Sequence, residues 1–337
     1  MRTSLLPAPT ATPVVEPMPP TSVTPHHIRP HELQMEPSPF AKGSGGAIYR
    51  AEYSGKWFAV KAMLPAPTTT AAHGKTMVAD ILIEMDMLCK LHHPNIVSLI
   101  GVCWWDLQAP VLVLELCDTT LENKLAGRAI TSDLARLKYA TQLTRALDYL
   151  HSQHIIHRDV KPANVLVSFD DRIKLADFGL ARTVPQTTAG QRAMSGETGS
   201  YRYMAPEILA HAAHYHSAVD VYSCGLILYY LFSGQRPFIE FKDPVLAARA
   251  ALGGHRPNPL DVKHAKVREI MSKAWESDSS HRPATKSLLA SLEHSLAEET
   301  APHSPFHKMW SRLPSVSPRQ RPASSSPPSS MMSKLVL

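Results

Sequence analysis

Between His157 and Gly179 the chain concentrates residue types that handle phosphate. The run HRDVKPANVLV holds His157, Arg158, Asp159, Lys161, Pro162 and Asn164. Asp177-Phe178-Gly179 follows, after a strand-like Ile173 to Leu175. A chance match to six fixed positions in a chain this long has a probability of roughly 10⁻⁵. Asn164 and Asp177 offer hard oxygen donors suited to Mg²⁺, an ion that keeps several waters and bridges substrate phosphates. Phosphoryl transfer needs an in-line hydroxyl, a carboxylate to orient it and metal ions to neutralise phosphate oxygens, and this stretch has the residue types for it.

Such a stretch needs elements to hold it. Ala47 to Tyr53 and Lys56 to Met63 alternate around Ser54-Gly55, which predicts a hairpin. After a Thr- and Ala-rich loop from Pro65 to Gly74, the segment Val78 to Leu91 sets Ile81, Met85, Leu88 and Leu91 on one helical face. A strand is expected over Val111 to Leu116. From Ser132 the pattern is mainly helical, with Leu143, Ala146, Leu147 and Leu150 at helical spacing up to His151. The order is a small strand-rich part followed by a larger helical one, with no internal repeat.

Composition narrows the class. The chain has 337 residues, enough to bury a sizeable core, and its four cysteines, Cys89, Cys103, Cys117 and Cys224, form no Cys-x-x-Cys pair. That pattern disfavours a disulfide framework and a zinc site, and suits a reducing, cytoplasmic setting, with the nucleus also open. The N-terminus lacks a signal-peptide run, and the apolar stretch Val219 to Phe232 is too short for a span, so a soluble protein with no membrane span is expected. The net charge of +6 sits in the tails: Lys308, Arg312, Arg319, Arg321 and Lys334 lie beyond Thr300 with no acid. A nucleic-acid partner is not expected, because the folded part is formally balanced. Residues 1–30 are rich in Pro, Thr and Ser, and residues 299–337 form a basic Ser/Pro-rich stretch; both read as disordered tails.

The motifs resemble the eukaryotic protein kinase family over about residues 34 to 285. The segment Gly199 to Glu207, with Ser98 to Cys103, is most similar to the tyrosine-kinase-like group of serine/threonine kinases. The resemblance implies an α+β, bilobal fold over residues 31–298. An antiparallel-sheet N-lobe with one helix would span about 31–116, and a mainly helical C-lobe about 117–298. It implies ATP and Mg²⁺ as cofactors and protein Ser/Thr hydroxyls as substrates. Asp159 is then the carboxylate that takes the hydroxyl proton. Lys161 faces the transferred phosphoryl group, and Asn164 and Asp177 hold the metal. Lys61, in FAVK, holds the α- and β-phosphates with Glu84 as its partner.

The glycine-rich loop becomes Ala41-Lys42-Gly43-Ser44-Gly45-Gly46, continuing into Ala47, with alanine where the pattern has its first glycine. Gly43 and Gly46 keep the positions where backbone N–H groups approach phosphate. The resemblance places Phe40, Ile48 and Ala59 above the adenine, Leu166 below it and Leu114 behind it, with backbone groups of Glu115 and Cys117 binding the purine. Asp220 is expected to anchor the backbone of His157 and Arg158, and Arg282 to pair with Glu207.

Lys161 favours serine/threonine over tyrosine. Thr183, Thr187, Thr188, Ser195, Thr198 and Ser200 lie between Leu180 and Met204, and in this family an Arg before the catalytic Asp receives an activation-loop phosphate. Ser195 or Thr198 is the expected site, modified by an upstream kinase or by autophosphorylation. Bland readings cover the rest: His211, His214 and His216 as a surface loop rather than a metal site, Trp104 and Trp105 as packing, and the tail Ser-Pro pairs at Ser304, Ser317 and Ser326 as solvated chain. Three alternatives stay open: a pseudokinase scaffold with the same fold, a small-molecule kinase, and a nucleic-acid binder.

Overall fold

The structure is a computed structural model that describes residues 25–43, 46–63, 71–104, 110–183, 200–210 and 216–301. The chain divides into a unit from Met1 to Leu296 and a second from Ala297 onward, whose described residues are the final turn of the last helix and Ala301.

The first part of the chain builds a sheet. Its strands are β1 (His27–Ile28), β2 (Gln34–Met35), β3 (Ala41–Gly43), β4 (Gly46–Tyr53) and β5 (Lys56–Ala62). Then come α1 (Ala71–Lys90), β6 (Leu99–Cys103) and β7 (Val111–Glu115). The sheet order is β1-β6-β7-β5-β4-β2, with β3 also paired to β4. The expected hairpin is β4 and β5, and its turn residues Ser54 and Gly55 take φ of 51° and 73°. Both lie in the left-handed region that two-residue hairpin turns demand. Helix α1 starts seven residues before the periodicity suggested and runs through Gly74. Strand β6 was not anticipated from alternation, because LIGVC is apolar throughout.

The expectation of a disordered tail over residues 1–30 does not hold at its inner end. His27 and Ile28 pair in parallel with Val102 and Cys103, and Ile28 is fully buried. Gly101 makes the room: a Cβ there would lie 2.7 Å from the His26 carbonyl oxygen. Ile28 joins Leu33, Ala51, Val60, Cys103, Val111 and Val113 in a small core of its own.

The helical part follows: β8 (Thr119–Thr120), α2 (Leu121–Ala126), α3 (Asp133–Ser152), β9 (Ile155–Ile156), β10 (Val165–Val167), β11 (Ile173–Leu175) and β12 (Arg182–Thr183). It ends with α4 (Pro206–Leu209), α5 (Ala218–Ser233), α6 (Pro244–Leu252), α7 (Ala265–Ala274) and α8 (Thr285–Thr300). Ser132 caps α3 by accepting from the Ala135 N–H at 3.2 Å, and Leu143, Ala146, Leu147 and Leu150 are buried as their spacing predicted. Helix α5 is buried from Ala218 to Phe232, the mark of a helix with protein on all sides. Gly225 lets α7 approach it, since a Cβ there would lie 2.9 Å from the Ala274 Cβ. Among the described residues, no helix is long and apolar enough to cross a membrane.

Candidate active site

Strand β5 and helix α1 bring Lys61 and Glu84 together. Glu84 lies on the same helical face as Ile81 and Leu88, all three buried, so its carboxylate points inward. Lys61 Nζ donates to Glu84 Oε2 at 2.6 Å and to Asp177 Oδ1 at 3.0 Å. Burial alone would lower the Lys61 pKa, but the charges of Asp177 and Glu84 outweigh it and raise it. The Lys61 ammonium in turn holds the Asp177 carboxyl below its ordinary range. Burial, with the Asp177 charge, pushes Glu84 up.

The loop carrying His157 to Asn164 hangs on helix α5. Asp220, 1% exposed, accepts from the His157 N–H at 2.9 Å and the Arg158 N–H at 2.8 Å, as expected. Those bonds hold Arg158 at φ 71°, a left-handed conformation that a non-glycine residue adopts only when its surroundings compel it. Asp177 is likewise held at φ 65°. The His157 ring meets the carbonyl of Ala176 at 3.0 Å and packs edge-on against buried Phe178, 4.9 Å between centroids. One aromatic contact thereby ties the two halves of the site.

Within the loop the polar side chains converge. Asp159 Oδ2 lies 2.8 Å from Lys161 Nζ and accepts from Asn164 Nδ2 at 2.9 Å. Asn164 Nδ2 also donates to the Asp159 carbonyl at 2.9 Å, which orients the amide. The β10–β11 hairpin pairs Val165 with Leu175, and Ala176 N–H donates to the Asn164 carbonyl at 2.9 Å. Asn164 and Asp177 therefore flank one end of one hairpin. Two hard oxygen donors, one ionised and 34% exposed at its side chain, fit Mg²⁺, which draws its remaining ligands from water and phosphate.

Above the loop, β3 and β4 pair Ala41 with Ile48, Lys42 with Ala47 and Gly43 with Gly46. Ser44 and Gly45 lie outside the described residues. Gly46 has φ 124°, and a Cβ there would stand 2.4 Å from the Ala62 carbonyl oxygen, so glycine is required. Ala41 sits in extended strand. Ile48, Ala59, Leu114 and Leu166 belong to one apolar cluster, and Ala59 pairs with Leu114 across β5 and β7. Phe40 stands apart from that cluster: it is 49% exposed, with the Arg50 guanidinium 5.4 Å from its ring centroid. Glu115 donates its N–H to the Ser98 carbonyl at 3.0 Å, and its carboxylate pairs with Lys174 at 2.9 Å. Cys117 is half-buried, and burial together with Glu115 pushes its thiol up to about 12.

Two further expectations are met, since Arg282 donates two hydrogen bonds to the Glu207 carboxylate, at 2.6 and 2.9 Å, and Trp104 packs half-buried against the main core. Thr187, Thr188, Ser195 and Thr198 lie outside the described residues, as do Trp105, His211, His214 and the tail Ser-Pro pairs. Two supporting residues escaped sequence reasoning. Arg202 is buried and donates to the carbonyls of Pro237 and Phe241 at 2.8 Å each, so it fixes the segment before Glu207. His151 contacts Asp220 at 2.8 Å. Its signal was its place six residues before His157, at the end of an amphipathic helix whose other face is core.

Comparison with known proteins agrees with this geometry. The protein kinase domain family matches residues 39–293. The chain is 35% identical to serine/threonine-protein kinase VIK of Arabidopsis thaliana, covering 82% of this chain and 63% of that protein. It is 32% identical to the probable serine/threonine-protein kinase drkD of Dictyostelium discoideum, over 86% of this chain and 22% of that one. It is also 32% identical to mitogen-activated protein kinase kinase kinase 10 of Mus musculus, over 85% and 30%. The chain thus spans less than two thirds of the length of these relatives.

Proposed function

Because the chain belongs to the protein kinase family, we propose that it transfers the γ-phosphate of ATP to serine or threonine hydroxyls of protein substrates. The observation that carries this reading is the Asp159 carboxylate, flanked by Lys161 Nζ at 2.8 Å and Asn164 Nδ2 at 2.9 Å. Asp159 orients the attacking hydroxyl and takes its proton as the new O–P bond forms and the bond from the γ-phosphorus to the bridging oxygen breaks. Lys161 stabilises charge on the transferred group. Lys61, aimed by Glu84, holds the α- and β-phosphates, and the β3–β4 hairpin closes over them with the Gly43 and Gly46 backbone. Ile48, Ala59, Leu114 and Leu166 line the adenine slot with Phe40 at its mouth, while Glu115 and Cys117 present backbone groups to the purine. Mg²⁺ held by Asn164 and Asp177 would neutralise phosphate oxygens.

Arg158 lies at the root of the activation segment, and β12 pairs that segment's start with β9. Phosphorylation at Ser195 or Thr198 would supply an anion for Arg158 and order the segment. An unmodified segment in fully active protein, by mass spectrometry, would sink this control. An Asp159→Asn chain that still acquired the phosphate would point to an upstream kinase rather than autophosphorylation. Four free cysteines, three of them buried, suit a cytoplasmic setting.

The test is transfer from labelled ATP to a generic protein substrate by wild type, Asp159→Asn and Lys61→Met, with phosphoamino-acid analysis of the product. Label in wild type alone, on serine or threonine, is expected. Equal label in all three would overturn the reading.

A further inference from the structure

A polar cluster that the phosphotransfer residues do not use forms where the segment before Glu207 meets α2 and the turn after α5. Arg236, in that turn, donates through Nη2 to Glu122 Oε1 of α2 at 2.9 Å. Close to both is Tyr203, only 4% exposed, whose buried hydroxyl has no hydrogen-bond partner. The backbone beneath these side chains is fixed. Arg202 donates to the Pro237 carbonyl at 2.8 Å, tying the chain neighbours of Tyr203 and Arg236 together. Ser223 of α5 donates to the Tyr203 carbonyl at 2.8 Å, and Gly234, at φ 69°, ends α5 two residues before Arg236. On the other side α2 packs against the turn Pro162–Asn164, whose Asn164 bonds Asp159. Glu122 thus rides on an element that borders the phosphotransfer loop.

The Arg236–Glu122 pair is suited to exchange partners. Among the described residues Arg236 makes this one hydrogen bond, and its side chain is 50% exposed against 25% for Glu122. A half-exposed, single-contact ion pair is weak, so a competing anion can displace it. Departure of Arg236 would not strand Glu122, because the Tyr203 hydroxyl can donate to it. Burial and the Glu122 charge push that hydroxyl well above its ordinary pKa, so it keeps its proton. The neighbouring charges set the sign of the incoming group. Arg202 is buried and bonded to the carbonyls of Pro237, Phe238 and Phe241, with no carboxylate among its partners, while Glu240 is taken by His255 at 2.7 Å. The hydrogen-bonding capacity left open at the surface is that of the Arg236 guanidinium, which fits an anion.

We propose that Arg236 is a specificity-determining residue that takes an acidic side chain of the protein substrate, leaving Glu122 to the Tyr203 hydroxyl as it does so. The preference in turnover rests on the phosphotransfer reading; the preference in binding does not.

The test uses the full chain as wild type, Arg236→Gln, Glu122→Gln and Tyr203→Phe. Labelled peptides with one serine and a glutamate scanned through the flanking positions, and the same peptides with glutamine or lysine there, are measured for binding by fluorescence anisotropy and for phosphate transfer. Wild type should favour glutamate over glutamine at one position by about fivefold in affinity and in kcat/KM, the scale of a half-exposed ion pair. Arg236→Gln should erase that preference while handling the glutamine peptide and ATP as the wild type does. Glu122→Gln removes the competing carboxylate and should enlarge the preference. Tyr203→Phe loses only an unpaired hydroxyl, so it should fold, and it should shrink the preference by leaving Glu122 nothing else to bond. A wild type that favoured the lysine peptide, and lost this in Glu122→Gln, would make Glu122 the reader and overturn the proposal. Equal handling of all peptides by wild type and Arg236→Gln would overturn it too. A wild type that bound the glutamate peptide preferentially but transferred no phosphate would sink the phosphotransfer reading and leave the subsite standing.

Discussion

Two charged clusters govern this molecule, and they differ in what they leave open. Lys61 binds two carboxylates, Glu84 and Asp177, and the Asp177 side chain is 34% exposed. Asp220 binds His151 and two backbone amides and is 1% exposed. The first cluster faces the cleft through one accessible member; the second is closed by protein on every side. A lysine with two anions can exchange one for a phosphate at modest cost, because its ammonium stays paired throughout. An aspartate whose partners are all protein has nothing to exchange, so it holds a shape. The open cluster is built to trade ligands and the closed one to keep the loop in place.

The largest effect should separate chemistry from holding. Asp159→Asn is expected to lower kcat by about 10²–10⁴-fold, the usual worth of a positioned proton acceptor, with ATP affinity and melting temperature near wild type. Kinetics, nucleotide titration and calorimetry on one preparation check this. A variant that lost binding and stability together would show that Asp159 belongs with the holding cluster.

Stability comes next. Hydrogen bonds to a buried charged group are each worth about 1.5–3 kcal/mol, so Asp220→Asn, which takes the charge away from its bonds to two amides and His151, should destabilise by about 3 kcal/mol or more. Lys61→Met should cost less, because Asp177 can turn toward water and Glu84, which burial already pushes up, can take a proton once their shared partner is gone. Denaturant unfolding measures both. Equal losses would erase the distinction between an open and a closed cluster.

Acid sharpens the contrast further. Asp220 and Asp177 both have depressed folded pKa values, so their stabilisation is present above the unfolded value of about 3.9. It is lost as pH falls through the folded values. Acid unfolding curves of Asp220→Asn should lack the closed cluster's share of that loss and keep the open cluster's share.

How much of this was readable beforehand differs by region. The phosphotransfer loop was legible because its chemistry demands particular side chains at fixed spacing, as with Asp159, Lys161 and Asn164. The pairings Lys61 to Glu84 and Arg282 to Glu207 were legible only through family resemblance, since each partner lies at least 23 residues away in sequence. Strand β1 was hidden in a proline-rich context, and what admits it is the missing side chain of Gly101, which carries no pattern. The contact between His151 and Thr285, at 3.3 Å, joins residues 134 apart in sequence, which no local period marks.

The smallest effect concerns the glycine-rich hairpin, where two positions of the same motif should behave differently. Gly46 has φ 124°, and a Cβ would stand 2.4 Å from the Ala62 carbonyl oxygen, a backbone atom that cannot swing aside. Gly46→Ala should therefore strain the hairpin by on the order of 1–3 kcal/mol and raise the KM for ATP accordingly. Ala41 lies in extended strand opposite Ile48, where an L-residue fits without strain. Restoring the family glycine there, Ala41→Gly, removes a methyl and adds backbone freedom, which costs about 0.5–1 kcal/mol in a strand. The KM for ATP should then change by no more than about threefold, with a slight loss of thermal stability. A tenfold drop in KM would mean that the methyl obstructs the phosphates, and that the motif's first glycine serves close approach rather than conformation.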